Sequence, residues 1–190
     1  MIFKIEGFIE VICGPMFSGK TTELIRRIKF LKSYNIKFLV FKPSIDNRYS
    51  EKAEITTHDL KFYPSLLINR SEEILNFVEK DTETLVIDEA QFFDDGIKKI
   101  LNDLSYRGIN IIIGGLENDF CGRPFGAMPY LLSIADKVTK LNAFCSVCGK
   151  IATRTQRIAN GQIPTQSDPI VLVGTNNYHE SRCRKCHKFI

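Results

Sequence analysis

The sequence contains no tryptophan, only three histidines and no long uninterrupted hydrophobic stretch. A helix that spans a bilayer needs roughly 20 consecutive apolar residues, so no transmembrane segment is predicted. Residues 1–6 also lack the basic start, apolar stretch and small-residue cleavage site of a secretory signal peptide. We therefore expect a cytoplasmic protein that does not contact a membrane.

The chain also has only a small excess of positive over negative charge. Lysine and arginine number 26 against 22 aspartate and glutamate residues, and the formal net charge is only +4. Nucleic-acid-binding proteins usually concentrate basic side chains on one face. The densest basic cluster here is Arg182, Arg184 and Lys185. The balance of charge therefore gives little reason to expect a nucleic-acid partner.

The hydrophobic pattern alternates between strands and helices. Apolar runs predict strands at residues 8–13, 37–42, 84–87 and 109–113. Helical patterns are predicted at residues 21–31, at 71–78 with Ser71 as N-cap, and at 95–104, whereas residues 44–57 are polar and irregular. Such alternation indicates a mostly parallel α/β sheet. A change of pattern divides the chain into an α/β nucleotide-binding domain, residues 1–143, and a small lobe, residues 144–190.

A phosphate-binding motif follows the first predicted strand and precedes the first helix. Its residues are Gly14, Pro15, Met16, Phe17, Ser18, Gly19, Lys20 and Thr21, which match G-x-x-x-x-G-K-[ST]. Glycines allow backbone N–H groups to turn towards phosphate oxygens, and the helix start adds partial positive charge. We expect Lys20 to contact the β- and γ-phosphates of ATP and the Thr21 hydroxyl to bind Mg²⁺. The alternative is an ordinary strand–helix turn whose lysine points into water.

Two adjacent acids end the strand at 84–87. Ligands of open α/β sheets bind at the carboxyl ends of the strands, where Asp88 and Glu89 lie. Because neighbouring side chains of an extended strand point in opposite directions, the two acids should have different roles. Asp88 suits Mg²⁺, directly or through water. Glu89 can act as a base towards water or a substrate hydroxyl. The alternative is a strand that ends in two solvated acids.

Four of the six cysteines form two C-x-x-C pairs. They are Cys145 with Cys148 and Cys183 with Cys186. Two such pairs complete a tetrahedral site for a structural zinc ion that leaves no position open for catalysis. A thioredoxin-like redox pair is the alternative, and His187 could compete with Cys186 as a ligand. Cys13 and Cys121 have no partner by spacing, which favours burial as small apolar residues.

Several parts of the chain together resemble the zinc-containing (cellular, type II) thymidine kinase family. They are the phosphate-binding motif, Asp-Glu-Ala-Gln-Phe-Phe at residues 88–93, the segment 115–125, Arg-Pro-Phe-Gly at residues 123–126, and the two cysteine pairs. They occur in the family's order and cover nearly the whole chain. The resemblance implies a P-loop (RecA-like) α/β fold with a zinc lobe. It also implies transfer of the γ-phosphoryl group of ATP to the 5′-hydroxyl of thymidine or deoxyuridine, for nucleotide salvage.

The resemblance further implies roles for residues at the phosphate end of the site. Glu89 would be the general base for the 5′-hydroxyl, and Asp46 and Arg48 would lie beside the transferring phosphoryl group. Ala90 and Gln91 would belong to the ATP site, with Mg²⁺ bound by Thr21 and Asp88. The family is usually a homotetramer, and thymidine triphosphate is a plausible feedback inhibitor.

The resemblance also implies a nucleoside pocket. Met16, Leu116 and Thr155 would surround the thymine 5-methyl group, and Phe92, Phe120 and Phe125 would form walls around the base. A loop called the lasso would hold the base through the backbone of Ile170, Val171, Leu172 and Val173. The ribose contact would come from Tyr178 or His179. Without the resemblance, the apolar members of this set would be expected in the core, and His58 and His187 on the surface.

Two other functions are compatible with the same motifs. A P-loop ATPase with a nucleic-acid-binding zinc ribbon would use Glu89 to activate water, and its DNA affinity would fall steeply with salt. A zinc-stabilised nucleotide sensor would bind ATP without turnover. The low net charge argues against the first alternative.

Overall fold

The computed structural model describes residues 7–44, 54–56, 62–170 and 177–190. The strands are β1 Ile9–Cys13, β2 Phe38–Pro43, β3 Glu54–Thr56, β4 Phe62–Pro64, β5 Leu66–Ile68, β6 Thr84–Ile87, β7 Asn110–Gly115, β8 Lys137–Lys140, β9 Ala143–Phe144, β10 Ile151–Ala152, β11 Arg154–Ala159 and β12 Asn177–Arg182. The α-helices are α1 Lys20–Ser33, α2 Gly96–Ser105 and α3 Met128–Ile134, and 3₁₀ helices cover Ser71–Asn76 and Ala90–Phe92. Among these described residues, no helix is both long and apolar enough to cross a membrane.

The main sheet has six strands in the order β5-β2-β6-β7-β1-β8. Every neighbouring pair in it is parallel. All carboxyl ends therefore meet at one edge, which is where parallel sheets bind ligands. The phosphate-binding motif follows β1, the acidic pair follows β6, and Leu116 follows β7 at this edge. The mostly parallel α/β fold that the sequence predicts is confirmed.

Helices cover both faces of the sheet. Alternate residues of a strand point to opposite faces, so Ile12, Val86 and Ile112 pack with Leu24 and Ile28 of α1. The other face packs against α2, α3 and the first 3₁₀ helix in a larger apolar cluster. Because both faces are covered, β6 is buried along its whole length. The strands whose carboxyl ends form this edge are therefore packed between two layers of helices.

The lobe after the main sheet consists of two small antiparallel sheets. β9 pairs with β10, and β11 pairs with β12 in a register that places Thr155 opposite Ser181 and Arg157 opposite His179. Its apolar cluster is small and consists mainly of cysteine and alanine. The division at residue 143 is not decided by this arrangement and stays a prediction.

Two details of the predicted secondary structure are wrong. Strand β3 lies inside the stretch expected to be irregular, because it pairs with β4. The helix expected at residues 71–78 is a short 3₁₀ helix whose N-cap is Arg70. Ser71 does not cap it, because the Ser71 hydroxyl donates a hydrogen bond to Asp94 at 2.5 Å.

Candidate active site

The phosphate-binding loop has the backbone that its sequence predicts. Gly14 has φ 149°, and a Cβ there would lie 2.5 Å from the Leu141 carbonyl oxygen. Gly19, the N-cap of α1, is left-handed with φ 85°. Lys20 is only 9% exposed, and its ammonium group donates to the Pro15 carbonyl at 2.9 Å. The lysine thus folds over the loop instead of pointing into water.

The acidic pair lies in a turn beyond the strand. Asp88 is buried, and its carboxylate accepts a hydrogen bond from the Glu89 N–H at 2.9 Å. Glu89 has left-handed backbone angles, φ 52° and ψ 43°. Non-glycine residues rarely adopt this conformation, and such strain is concentrated at functional sites. The two acids do have separate environments, as expected. The cause is the turn after β6, and not the alternation of side chains along an extended strand.

Gln91 links the acidic pair to the strand on its other side. Its side-chain N–H₂ group donates to the Glu89 carboxylate, and its carbonyl oxygen accepts from the Leu116 N–H at 2.8 Å. The side chain is 3% exposed. Gly126 packs against the Gln91 backbone, where a Cβ would lie 2.1 Å from its carbonyl oxygen. Gln91 therefore fixes Glu89, Leu116 and the Arg-Pro-Phe-Gly segment relative to one another.

A small cavity opens next to these residues. Its lining consists of Met16, Phe92, Leu116, Asn118, Asp119, Phe120, Phe125, Thr155, Ile170 and His179. The structure thus brings together eight of the residues that the family resemblance implies for the nucleoside. Their roles there stay predictions.

The cavity adjoins the phosphate-binding loop. Met16 belongs to both, and its N–H donates to the Thr155 hydroxyl at 3.0 Å, which ties the loop to β11. Phe92 and Phe125 pack edge to face with centroids 5.4 Å apart. A ligand in the cavity would therefore contact aromatic rings and lie beside the phosphate-binding loop.

Strand geometry separates the two candidates for the ribose contact. His179 lines the cavity, whereas Tyr178 is 50% exposed and is not part of the lining. Adjacent strand residues point to opposite faces, so only one of the two can face the cavity. His179 is also opposite Arg157 across the β11–β12 pair.

Two lining residues were not among the predicted ones. Asn118 and Asp119 lie in the turn after β7. The Asp119 carboxylate accepts hydrogen bonds from the N–H groups of Cys121 and Arg123 at 2.9 Å and from Arg123 Nε at 2.8 Å. These contacts shape the turn that presents Phe120. The sequence signal that could have identified Asn118 and Asp119 is their position after the carboxyl end of a parallel strand, where ligands bind.

Four cysteines converge in the C-terminal lobe. The Sγ atoms of Cys145, Cys148, Cys183 and Cys186 all lie within 4.8 Å of one another. The Cys148 and Cys183 sulfurs are 3.7 Å apart, close to the ~3.8 Å expected when each lies about 2.3 Å from one tetrahedral zinc ion. Tight turns support both pairs, with Gly149 N–H bonded to the Cys145 carbonyl and Cys186 N–H to that of Cys183. The cluster could hold zinc.

The electrostatics favour the thiolate at two of the four cysteines, whereas hydrogen bonds to Cys183 and Cys148 raise the pKa of Cys186 to about 12. Burial raises the pKa of the Cys145 thiol, but hydrogen bonds from backbone N–H groups outweigh it and lower the pKa to about 6. The Cys183 pKa is also lowered, chiefly by the Cys186 N–H. Thiolates are the form that binds zinc.

His187 does not have the surface position expected of it. Its ring is half-buried, and Nε2 donates to the Phe120 carbonyl at 2.8 Å. This contact directs the ring to the cavity wall, so His187 does not compete with Cys186 for a metal. The thiols of Cys13 and Cys121 are buried as predicted, and burial raises both of their pKa values.

Part of the predicted site lies outside the described residues. This part consists of Asp46 and Arg48, implied near the phosphoryl group, and Val171, Leu172 and Val173, implied at the base. His58, expected on the surface, also lies outside the described residues. Of the implied lasso backbone, only Ile170 is described.

Comparison with known proteins agrees with this geometry. The family model described as thymidine kinase matches residues 7–187. The chain is 52% identical over 182 residues to the thymidine kinase of Onion yellows phytoplasma (strain OY-M), covering 96% of this chain and 87% of that protein. It is 51% identical, with the same coverage, to the thymidine kinase of Aster yellows witches'-broom phytoplasma (strain AYWB). With a phosphate-binding loop, an acidic pair and an aromatic cavity at one sheet edge, the chain belongs to the thymidine kinase family.

Proposed function

We propose that this protein transfers the γ-phosphoryl group of ATP to the 5′-hydroxyl of thymidine, and also of deoxyuridine. The product would enter nucleotide salvage for DNA synthesis in the cytoplasm. The observation that carries the proposal is that Met16 belongs both to the phosphate-binding loop and to the aromatic cavity. A nucleoside in that cavity would have its 5′ end beside the γ-phosphate. The names of the relatives support thymidine as that nucleoside.

ATP would bind along residues 14–21 and against residues 88–91. Backbone N–H groups at the start of α1 and the Lys20 ammonium would bind the phosphates. The Thr21 hydroxyl and the buried Asp88 carboxylate suit Mg²⁺, which neutralises charge on the β- and γ-phosphates when it is bound with ATP. The Lys20 ammonium group would exchange the Pro15 carbonyl for phosphate oxygens.

The nucleoside would fill the cavity. Phe92, Phe120 and Phe125 offer apolar surfaces to a planar base, while Met16 and Leu116 suit a methyl group. The Thr155 hydroxyl accepts a hydrogen bond from the Met16 N–H. Thr155 would present its methyl group to the base. His179 would contact the ribose.

Glu89 would remove the proton from the 5′-hydroxyl. Gln91 holds its carboxylate, and the rigid turn fixes its direction. A positioned general base contributes about 10²- to 10⁴-fold to a rate. Asp46 and Arg48 would act at the transferring group, where a cation offsets developing charge.

A zinc ion in the four-cysteine cluster would be structural. It would fix both ends of the segment between the cysteine pairs, which has little apolar core of its own. We also expect the homotetramer usual for the family and feedback inhibition by thymidine triphosphate.

The test is transfer of phosphate from labelled ATP, with Mg²⁺, to thymidine, deoxyuridine, deoxycytidine and deoxyadenosine. Transfer to thymidine and deoxyuridine alone is the expected result. Transfer to none of them, with ATP hydrolysis that rises on added DNA, would replace the proposal with a nucleic-acid-dependent ATPase.

A further inference from the structure

The guanidinium group of Arg157 is completely buried behind the cavity. Arg157 lies on β11, is 1% exposed, and shares a strand face with Thr155 and with His179 across the pair. Those two neighbours line the cavity, but Arg157 does not. A cation in this position needs an explanation, because arginine is almost never fully buried unless it is paired.

Arg157 supports two walls of the cavity from outside. The centre of its guanidinium group lies 3.7 Å from the centroid of the Phe120 ring, a close cation–π contact. Its Nη1 donates to the carbonyl oxygens of Pro169 at 2.5 Å and Ile170 at 3.3 Å. Phe120 and Ile170 both line the cavity. One side chain therefore links an aromatic wall after β7 to the segment that follows β11.

The group is poorly compensated as a charge. Its nearest described carboxylate, Asp168, is 3.8 Å from Nη2, and Nε and Nη2 have no hydrogen-bond partner among the described residues. Burial accordingly lowers the pKa of Arg157. An apolar side chain of similar volume would fill this space without the cost of burying a charge. Stability alone therefore does not account for a guanidinium group here.

We propose that Arg157 is a positioning residue for the nucleoside, which orients the Phe120 ring and holds residues 169–170 against the cavity. The planar guanidinium group is suited to this, since one face stacks on the ring while its edge donates to carbonyl groups. The proposal rests on the proposed function for the identity of the nucleoside. The contacts themselves do not depend on it.

The test compares Arg157→Met and Arg157→Lys with wild type in steady-state kinetics. Methionine removes the charge and the donors, whereas lysine keeps the charge but lacks the planar face. We expect the KM for thymidine to rise about tenfold or more in Arg157→Met, which corresponds to about 1.4 kcal/mol, because the Phe120 ring and the segment at 169–170 are no longer held in place. The KM for ATP should not change. Arg157→Lys should show the same split to a smaller extent, and it remains informative if the methionine variant does not fold.

Arg27→Lys is the matched control. Arg27 is also largely buried and hydrogen-bonded, but neither Arg27 nor its partners Glu10 and Glu23 line the cavity. Its replacement should lower thermal stability without changing the KM for thymidine. If both Arg157 variants lose stability with an unchanged KM for thymidine, or if Arg27→Lys raises that KM equally, Arg157 is not a positioning residue.

A second readout does not depend on activity. Amide hydrogen exchange in peptides that cover residues 163–170 should be faster in Arg157→Met than in wild type, because the carbonyls at 169–170 lose their side-chain donor. Unchanged exchange would overturn the proposal. If wild type transfers no phosphate to thymidine, the proposed function fails, while hydrogen exchange still decides whether Arg157 holds this segment.

Discussion

Replacing Gln91 with methionine should test two roles of its side chain, which are to stabilise the fold and to hold the Glu89 carboxylate in place. Methionine has similar length and fills similar space, but it can neither donate to the Glu89 carboxylate nor accept from the Leu116 N–H. Because the side chain is buried, water cannot replace either partner freely. Both hydrogen bonds are therefore lost, with little change in packing.

The magnitude follows from the type of each bond. A buried N–H left without an acceptor costs about 1–3 kcal/mol, and a hydrogen bond to a charged group contributes about 1.5–3 kcal/mol. Allowing for partial relaxation, we expect the free energy of unfolding to fall by about 2–4 kcal/mol, or Tm by about 4–16 °C for a chain of this size. A base that is no longer held in place should also lower kcat by about 10- to 100-fold.

The assay measures kcat with saturating ATP and thymidine, together with thermal unfolding. Gln156→Met is the matched control, since Gln156 is also a buried glutamine that is hydrogen-bonded through both side-chain atoms, to Arg157 and Lys188. It should lose similar stability and keep a kcat close to wild type. Equal kcat losses in the two variants, or an unchanged kcat in Gln91→Met, would refute the link between Gln91 and Glu89.

Three further predictions address the base, the metal and the sheet. Glu89→Gln should lower kcat by about 100-fold or more while ATP binding, measured by calorimetry, is retained, because the shape stays and the base is lost. Cys148→Ser should reduce zinc, measured by elemental analysis, from about one ion per chain to near none, and should raise the KM for thymidine. The Arg27 hydrogen bond lowers the pKa of Glu10 to about 2 despite burial. This stabilisation is complete above pH 4.5 and should be lost as pH falls towards 2, a change of about 3 kcal/mol in unfolding free energy.

Each of these has a result that contradicts it. Normal turnover in Glu89→Gln would remove that residue from the mechanism. Full zinc content and normal KM in Cys148→Ser would disprove the four-cysteine site. Denaturation at several pH values on Glu10→Gln should give a flatter acid limb than wild type, and an identical limb would exclude Glu10 as its source.

The sequence by itself determined the elements whose physics is local. A short, mostly apolar run such as Thr84–Ile87 is typical of a strand that is covered on both faces, and it is one. The phosphate-binding motif needs glycines at Gly14 and Gly19, because the chain adopts positive φ at both. The cysteine spacing likewise predicted four sulfurs that converge, since each C-x-x-C pair forms one tight turn.

Only the tertiary structure decided features that depend on distant neighbours. Ser71 does not cap a helix as predicted, because its hydroxyl donates to Asp94. His187 is half-buried and not on the surface, because its ring donates to the Phe120 carbonyl. His179, and not Tyr178, faces the cavity because of the register of β11 against β12.

The same holds for the buried guanidinium group behind the cavity. No sequence pattern distinguishes Arg157 from a solvated arginine, because its ring and carbonyl partners come from segments 37 and 12–13 residues away. Local geometry sets which residues form a turn or a strand. The packing of whole strands and helices determines which side chains from distant segments come into contact, and the cavity results from that packing.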